Sequence, residues 1–422
     1  MKARIVPGSF NGTVNIPPSK SLTQRAYAAA LLYVGTTLIH NAGNSADEEA
    51  ARHMIQQLGA TVTGSGPMVV TSKGIAPVSD TIDCGESGLA ARLFAPIAAL
   101  HNSPITIAGH GSILRRPMEG VADILPLLSV SLQGFNGHIP FTVQGPMQAR
   151  SVAVHTSGSS QLLSGLLFAL CACATAPITI TVAGLQSKPY IDLTLDVLAH
   201  FGRHVSHDNY KVFHIDPARF EYAAHRELTI EADWSSASCM LVAGAIAGEV
   251  TVPNLFMNSR QADRAILDVL RTIGADMDIT DTGITVRRSR MQGFEFDAAN
   301  CPDLFPALAA LASFCDGNSQ VTGVHRLFHK ESNRVESITE MLWRYGVTFS
   351  VEDDTLYIEG REKVQYSYMD GYKDHRIVMA AAVCALRAKG PVTISCADAV
   401  GKSYPRFFDD MRLCGVACEL LP

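Results

Sequence analysis

Charge is scarce in this sequence, and so are metal-ligand patterns. Only 18% of its 422 residues are Asp, Glu, Lys or Arg, and the formal net charge is -6. A general nucleic-acid binder carries a surplus of cations, so that class is excluded, while a local cationic pocket is not. None of the ten cysteines forms a CxxC pair, and the 14 histidines are dispersed with no zinc or iron spacing. Cys171 and Cys173 lie in an apolar run and read as core thiols, a usage that fits a reducing compartment. A GxxxxGK[ST] loop is missing, which excludes phosphoryl transfer from ATP by that route. The opening "MKARIVPGSF" has no apolar leader core, and no apolar run approaches about 18 residues. A soluble, cytoplasmic protein without a membrane or nucleic-acid partner is expected.

What is present is apolar and repetitive. At 47% hydrophobic the chain is globular, and its length predicts two domains. One phrase recurs: an amphipathic helix, a glycine, then a short strand. It appears as "MIQQLGATVTG", "VLAHFGRHVS", "VLRTIGADMDI", "MLWRYGVTFSV" and "MRLCGVACEL", pivoting on Gly59, Gly202, Gly274, Gly346 and Gly415. A sixth copy is "ILPLLSVSL", with Ser129 in the glycine's place. The spacing is about 70 residues per unit. Glycine suits the position after a helix, where the chain turns through a left-handed conformation.

Two further features share that period. An earlier helix opens on small, hydroxyl or charged residues and then becomes almost wholly apolar, the mark of a buried helix. The openings are "PPSKSLTQRA", "CGESGLAARLF", "SGSSQLLSGLL", "ADWSSASCML", "CPDLFPALAAL" and "KDHRIVMAAAV". Polar stretches such as "SADEEAARHM", "QSKPYIDLTLD", "MNSRQADRAILD" and "HKESNRVESI" precede the second helix of each unit. Each unit therefore reads βαβαββ. The predicted class is α/β (α+β), with two pseudo-threefold domains of three units, parallel buried helices inside and sheets outside. A solenoid is the competing arrangement. "GPMVVTSKG" and "GIAPVSD" read as turns.

Parallel buried helices gather their N-termini on one face, and that is where the unusual polar residues fall. Lys20, Arg25, Arg116, Lys188, Lys330, Arg334, Arg376 and Lys402 supply cations; Ser21, Ser159, Ser160 and Ser187 supply hydroxyls near helix starts. Helix N-termini and guanidinium groups together bind phosphates and carboxylates. Asp303 and Glu331 stand among the cations, where a carboxylate can act as a general base for a hydroxyl. Taken singly, each has a plainer reading: Asp303 as a helix cap, Glu331 and Arg334 as a helix-face pair, and "SGSSQ" as a turn. Lys20 sits at the positive end of a helix dipole, an unfavourable place for a cation. A substrate anion absent from the bare chain would explain it.

The segments "SKSLTQRA", "RPM", "SSQLLSGLL", "SKPYID", "HKESNR", "DHRIVMA" and "GKSYPRF", in that order, resemble the 5-enolpyruvylshikimate-3-phosphate synthases of the enolpyruvyl transferase family. The resemblance implies the inside-out α/β barrel fold. It also implies a discontinuous domain of residues 1–18 and 230–422 on the phosphoenolpyruvate side, and an inserted domain of residues 19–229 on the shikimate 3-phosphate side. The implied reaction is enolpyruvyl transfer to the 5-hydroxyl of shikimate 3-phosphate through a tetrahedral intermediate, by a monomer without metal or organic cofactor. Lys20, Asp303 and Glu331 match the family's catalytic positions. Lys20, Ser21, Arg25, Ser159, Ser160, Gln161, Ser187, Tyr190, Asp303 and Lys330 match its shikimate 3-phosphate site. Lys20, Gly88, Arg116, Gln161, Arg334, Arg376 and Lys402 match its phosphoenolpyruvate site. Glu86, Leu89 and Asn333 depart from the family, where Asn, Thr and Asp are usual. The sister activity on UDP-N-acetylglucosamine and a non-catalytic anion-binding module are the alternatives. The first typically carries a loop cysteine that "GSILRRPMEG" lacks; the second should lack Asp303 or Glu331.

Overall fold

The computed structural model describes residues 1–156, 160–221, 226–281 and 283–422. The chain separates into two compact units, one of Met1–Pro17 with Glu231–Pro422 and one of Pro18–Ile230. The serine predicted at position 159 lies outside the described residues.

Each unit is organised around three apolar helices that pack on one another. In the Pro18–Ile230 unit these are Lys20–Leu32, Gly88–Ala98 and Gln161–Cys173. In the other they are Trp234–Ala247, Phe305–Ala312 and His375–Ala385. Every residue of Gly88–Ala98 and of His375–Ala385 is buried. Removing a side chain such as Phe94, Phe168 or Phe305 from water contributes on the order of 1.5–3 kcal/mol each. Short polar side chains start these helices. The Ser87 hydroxyl accepts from Ala90 N–H at 3.2 Å, Asp233 from Ser235 N–H at 3.0 Å and Asp374 from Arg376 N–H at 3.0 Å. Such caps satisfy amide donors that the helix itself leaves unpaired.

The strands among the described residues form six four-stranded sheets. The unit around Gly88–Ala98 shows the pattern. Strand Thr81–Asp83 runs parallel to Ile105–Ala108, which pairs antiparallel with Phe141–Gln144, itself antiparallel to Ser131–Gln133. The register sets Ile82 beside Ile107 and Ile107 beside Phe141, so one face of the sheet is apolar. Two repeats draw their first strand from far along the chain. Phe10–Thr13 pairs parallel with Gly248–Pro253, and Glu227–Thr229 pairs parallel with Gly35–His40. Lys2–Ile5 closes the last sheet between Val392–Ile394 and Cys418–Leu421.

All six pivots adopt positive φ: Gly59 at 105°, Ser129 at 65°, Gly202 at 73°, Gly274 at 76°, Gly346 at 67° and Gly415 at 88°. Ser129 holds the left-handed turn despite its Cβ, a conformation that costs an L-residue about 1–2 kcal/mol.

Three expectations change. Met68–Ser72, inside "GPMVVTSKG", is a strand and not a turn, pairing antiparallel with Gly35–His40. Its flanking Gly and Pro hid a run of Met, Val, Val and Thr that suits a pleated surface. The second helix of the Gly88 unit shrinks to Val121–Ile124 followed by a 3-10 turn at Pro126–Leu128. Pro126 has no N–H with which to continue the helical ladder. Cys171 is buried, but Cys173, at the helix end, is only half-buried.

Candidate active site

In the Pro18–Ile230 unit the polar residues cluster where the three apolar helices begin. Gln24 Oε1 accepts from the Ser87 hydroxyl at 3.1 Å, joining the first two helices. Arg92 Nη1 donates to Gln161 Oε1 at 3.1 Å, joining the second and third. Arg25, 1% exposed, reaches across to the helix Lys188–His200. Its guanidinium donates to Thr194 Oγ1 at 2.9 Å, Ser21 O at 2.8 Å, Tyr190 O at 3.1 Å and Ser164 Oγ at 3.4 Å. All four acceptors are neutral. Burial accordingly pushes the Arg25 pKa down to about 10, a value at which the group still carries its charge at neutral pH.

Lys20 Nζ lies 2.8 Å from Asp47 Oδ2. The unfavourable placement of this lysine thus already has a carboxylate partner within the chain, and a substrate anion is not required to explain it. Gly88 opens its helix against Arg116, which is 8% exposed. A Cβ on Gly88 would stand 2.6 Å from Arg116 Nη1, so the glycine makes room for the guanidinium. Glu86 Oε2 accepts from both the amide and the hydroxyl of Ser112 at 2.7 Å, tying down the 3-10 turn Gly111–Arg115 before Arg116. Ser160 and Ser187 are buried; Ser187 turns through φ 57° ahead of Lys188. Lys188 Nζ lies 5.5 Å over the Tyr210 ring.

In the other unit carboxylates dominate the corresponding helix starts. Asp303 precedes its apolar helix, in the 3-10 turn Pro302–Leu304. It does not act as the cap. Its Oδ1 accepts from Arg334 Nη1 at 2.8 Å and Lys330 Nζ at 3.4 Å, and its Oδ2 from Arg376 Nη2 at 3.1 Å. Arg334 is wholly buried. Besides Asp303 it holds Asp374 Oδ2 at 2.8 Å and Glu331 Oε2 at 2.7 Å. Glu331 precedes the helix Arg334–Arg344, so this contact organises a loop and is no helix-face pair. Burial pulls Lys330 down to about 8, with Asp303 opposing. Lys402, 8% exposed, donates to Lys373 O at 3.2 Å.

The residues singled out in the sequence therefore fall into two sets. Lys20, Ser21, Arg25, Gly88, Arg116, Ser160, Gln161, Ser187 and Tyr190 belong to the Pro18–Ile230 unit. Asp303, Lys330, Glu331, Arg334, Arg376 and Lys402 belong to the other. Neither unit is purely a phosphoenolpyruvate or a shikimate 3-phosphate side by these assignments, because Gly88 and Arg116 sit in one and Lys330 in the other. Sequence reasoning passed over Asp47, Arg92, Thr194, Asp263 and Asp374. Arg92, the one charge in "GLAARLFAPIA", carried a usable signal.

Residues 6–411 match the family model of EPSP synthase (3-phosphoshikimate 1-carboxyvinyltransferase). A 3-phosphoshikimate 1-carboxyvinyltransferase of Clostridium novyi (strain NT) is 32% identical, covering 98% of this chain and 97% of its own length. One from Halobacterium salinarum (strain ATCC 29341 / DSM 671 / R1) is 36% identical, covering 97% of each. Among solved structures, EPSP synthase from Acinetobacter baumannii superposes with TM-score 0.83 at 24% identity, over 99% of this chain and 100% of that one. The enolpyruvyl transferase NikO from Streptomyces tendae superposes with TM-score 0.76 at 14% identity, over 99% and 98%.

Proposed function

The chain belongs to the EPSP synthase (3-phosphoshikimate 1-carboxyvinyltransferase) family, and on that premise we propose which of its residues carry the reaction. The enzyme moves the enolpyruvyl group of phosphoenolpyruvate to the 5-hydroxyl of shikimate 3-phosphate and releases phosphate. The observation that carries the residue assignment is Arg25, a buried cation whose acceptors are all neutral. A desolvated guanidinium without a counter-charge favours an incoming anion with suitable geometry. The 3-phosphate of the acceptor substrate is that anion, with Ser21, Ser159, Ser160, Gln161, Ser187 and Tyr190 completing its site and Lys330 contacting the same substrate.

Phosphoenolpyruvate brings a phosphate and a carboxylate. Arg116, Arg334, Arg376 and Lys402 are the cations assigned to them, and Gln161 and Gly88 are assigned to the same substrate. In the addition step the 5-hydroxyl oxygen bonds to C2 of phosphoenolpyruvate and C3 gains a proton. In the elimination step the C2–O bond to phosphate breaks and C3 returns a proton. Asp303 takes the hydroxyl proton; Lys20 and Glu331 handle the proton at C3 and hold the reacting centre. The cations around Asp303 orient its oxygens, so the base is positioned before the substrate arrives.

We infer a cytoplasmic monomer. The ten cysteines are free, seven of them buried, which fits a reducing compartment. No helix among the described residues is long and apolar enough to cross a membrane. Both sets of assigned residues come from this one chain. The test of the acceptor is phosphate release from phosphoenolpyruvate. Shikimate 3-phosphate supports it; release with UDP-N-acetylglucosamine instead would overturn the assignment.

A further inference from the structure

Asp263 is a buried acid for which the mechanism above has no use. It lies in the 3-10 turn Ala262–Ala265 and is 2% exposed. Its Oδ2 accepts a hydrogen bond from the Ser235 hydroxyl and stands 3.8 Å from Arg376 Nη1. Among the described residues its Oδ1 has no hydrogen-bond partner. The other terminal nitrogen of Arg376 donates to Asp303 Oδ2 at 3.1 Å. One guanidinium thus stands between two carboxylates, one of them sealed from water.

The charges that face Asp263 come from every element around it. Arg376 comes from the start of its apolar helix and Asp303 from the turn before another. Asp233 caps the third, whose Ser235 hydroxyl contacts the carboxylate. The thiols of Cys239 and Cys301 lie within its field, and Arg264 is its neighbour on its own turn. Lys330 and Arg334 bind the other oxygen of Asp303. Burial pushes the Asp263 carboxyl up to about 7; Asp303 and Asp233 add to this, and Arg376 and Ser235 oppose it. An anion arriving at Arg376 offsets the attraction that holds Asp263 ionised, and so favours its protonated form.

We propose that Asp263 is a positioning residue for Arg376: it takes up a proton when phosphoenolpyruvate meets that guanidinium, so binding this substrate draws a proton from solvent. The inference rests on the assignment of Arg376 to phosphoenolpyruvate. While Asp263 is ionised, it and Asp303 both draw on the Arg376 charge, and a third anion is penalised. Protonation of Asp263 frees that charge for the substrate. The proton comes from the buffer and returns to it on release; no bond to the substrate is made or broken.

By linkage, the sign is fixed: below the Asp263 pKa the group is already neutral and binding is tight, and above it binding weakens. Asp263→Asn stays neutral at every pH and keeps an acceptor for Ser235. The measurement is the KM for phosphoenolpyruvate between pH 6 and pH 8, with shikimate 3-phosphate saturating. The wild-type value divided by the Asp263→Asn value is expected to be near one at pH 6. It should grow several-fold by pH 8, within the limit of about tenfold per pH unit. A ratio that is flat with pH, or that falls, overturns the proposal. Ser235→Ala keeps Asp263 but removes its hydroxyl donor, so the inflection should move to higher pH; an unmoved inflection contradicts the proposal if Asp263→Asn does not fold. Arg376→Gln separates the two readings. If it leaves the KM for phosphoenolpyruvate unchanged, the Arg376 assignment itself fails; if it raises that KM while the Asp263→Asn ratio stays flat, only the present inference fails.

Discussion

Arg334 and Asp374 meet with both side chains at 0% exposure, Nε to Oδ2 at 2.8 Å. An ion pair taken fully out of water is a weak source of net stability, because desolvation consumes much of the attraction. Its persistence here has a geometric consequence: the same guanidinium also holds Asp303 and Glu331. Asp374 thereby fixes the arginine that fixes both assigned proton-transfer carboxylates.

Asp374→Asn removes one charge of the buried pair and should destabilise the protein by about 3–5 kcal/mol, toward the lower figure because Glu331 and Asp303 remain. Urea unfolding midpoints check this. Burial pushes the Asp374 carboxyl up, but Arg334 pulls it below the usual range. A depressed carboxyl contributes stability above about pH 4 and loses it as the pH falls through the folded value. The variant should therefore lack that part of the acid destabilisation; an identical pH–stability curve would refute the ion-pair account.

Arg25→Met should behave in the opposite way. Losing a charge-assisted contact to phosphate weakens shikimate 3-phosphate binding by roughly 10- to 100-fold, on a scale of about 1.5–3 kcal/mol. Stability should change little, because relief of a buried charge without a carboxylate partner offsets the four hydrogen bonds lost. Calorimetric titration and thermal melting read the two effects separately. Unchanged affinity would contradict the assignment of Arg25.

Lys330 loses its proton near pH 8, while Arg25 keeps its charge to about 10. A lysine with a lowered pKa becomes neutral as pH rises through that value. The KM for shikimate 3-phosphate should therefore climb between pH 7.5 and about 9, and Lys330→Arg should flatten the climb, because arginine stays charged there. A wild-type profile without that rise, or one that Lys330→Arg leaves intact, argues against contact between Lys330 and this substrate.

The repeat was legible because its signals are local. Each pivot needs a residue tolerant of positive φ, and even Ser129 could be placed by its register between glycines. The buried helices were legible because they are apolar all round. The partners of the site were not. Asp47 pairs with Lys20 across 27 residues, and nothing in "SADEEAARHM" separates it from the two glutamates after it. Asp374 caps its helix, yet its side chain also receives Arg334 from 40 residues away. Asp263 sat in a recognised repeat position but carried no feature of its own; its importance comes from the depth at which folding places it.

In the proposed mechanism Asp303, held by Lys330, Arg334 and Arg376, takes the proton of the attacking hydroxyl. Its most direct measurement is turnover by Asp303→Asn, read as phosphate release with phosphoenolpyruvate and shikimate 3-phosphate, alongside calorimetric binding of shikimate 3-phosphate. Binding within a few-fold of wild type is expected, with a kcat lower by about 10²–10⁴, the usual contribution of a general base. A kcat within tenfold of wild type would contradict it.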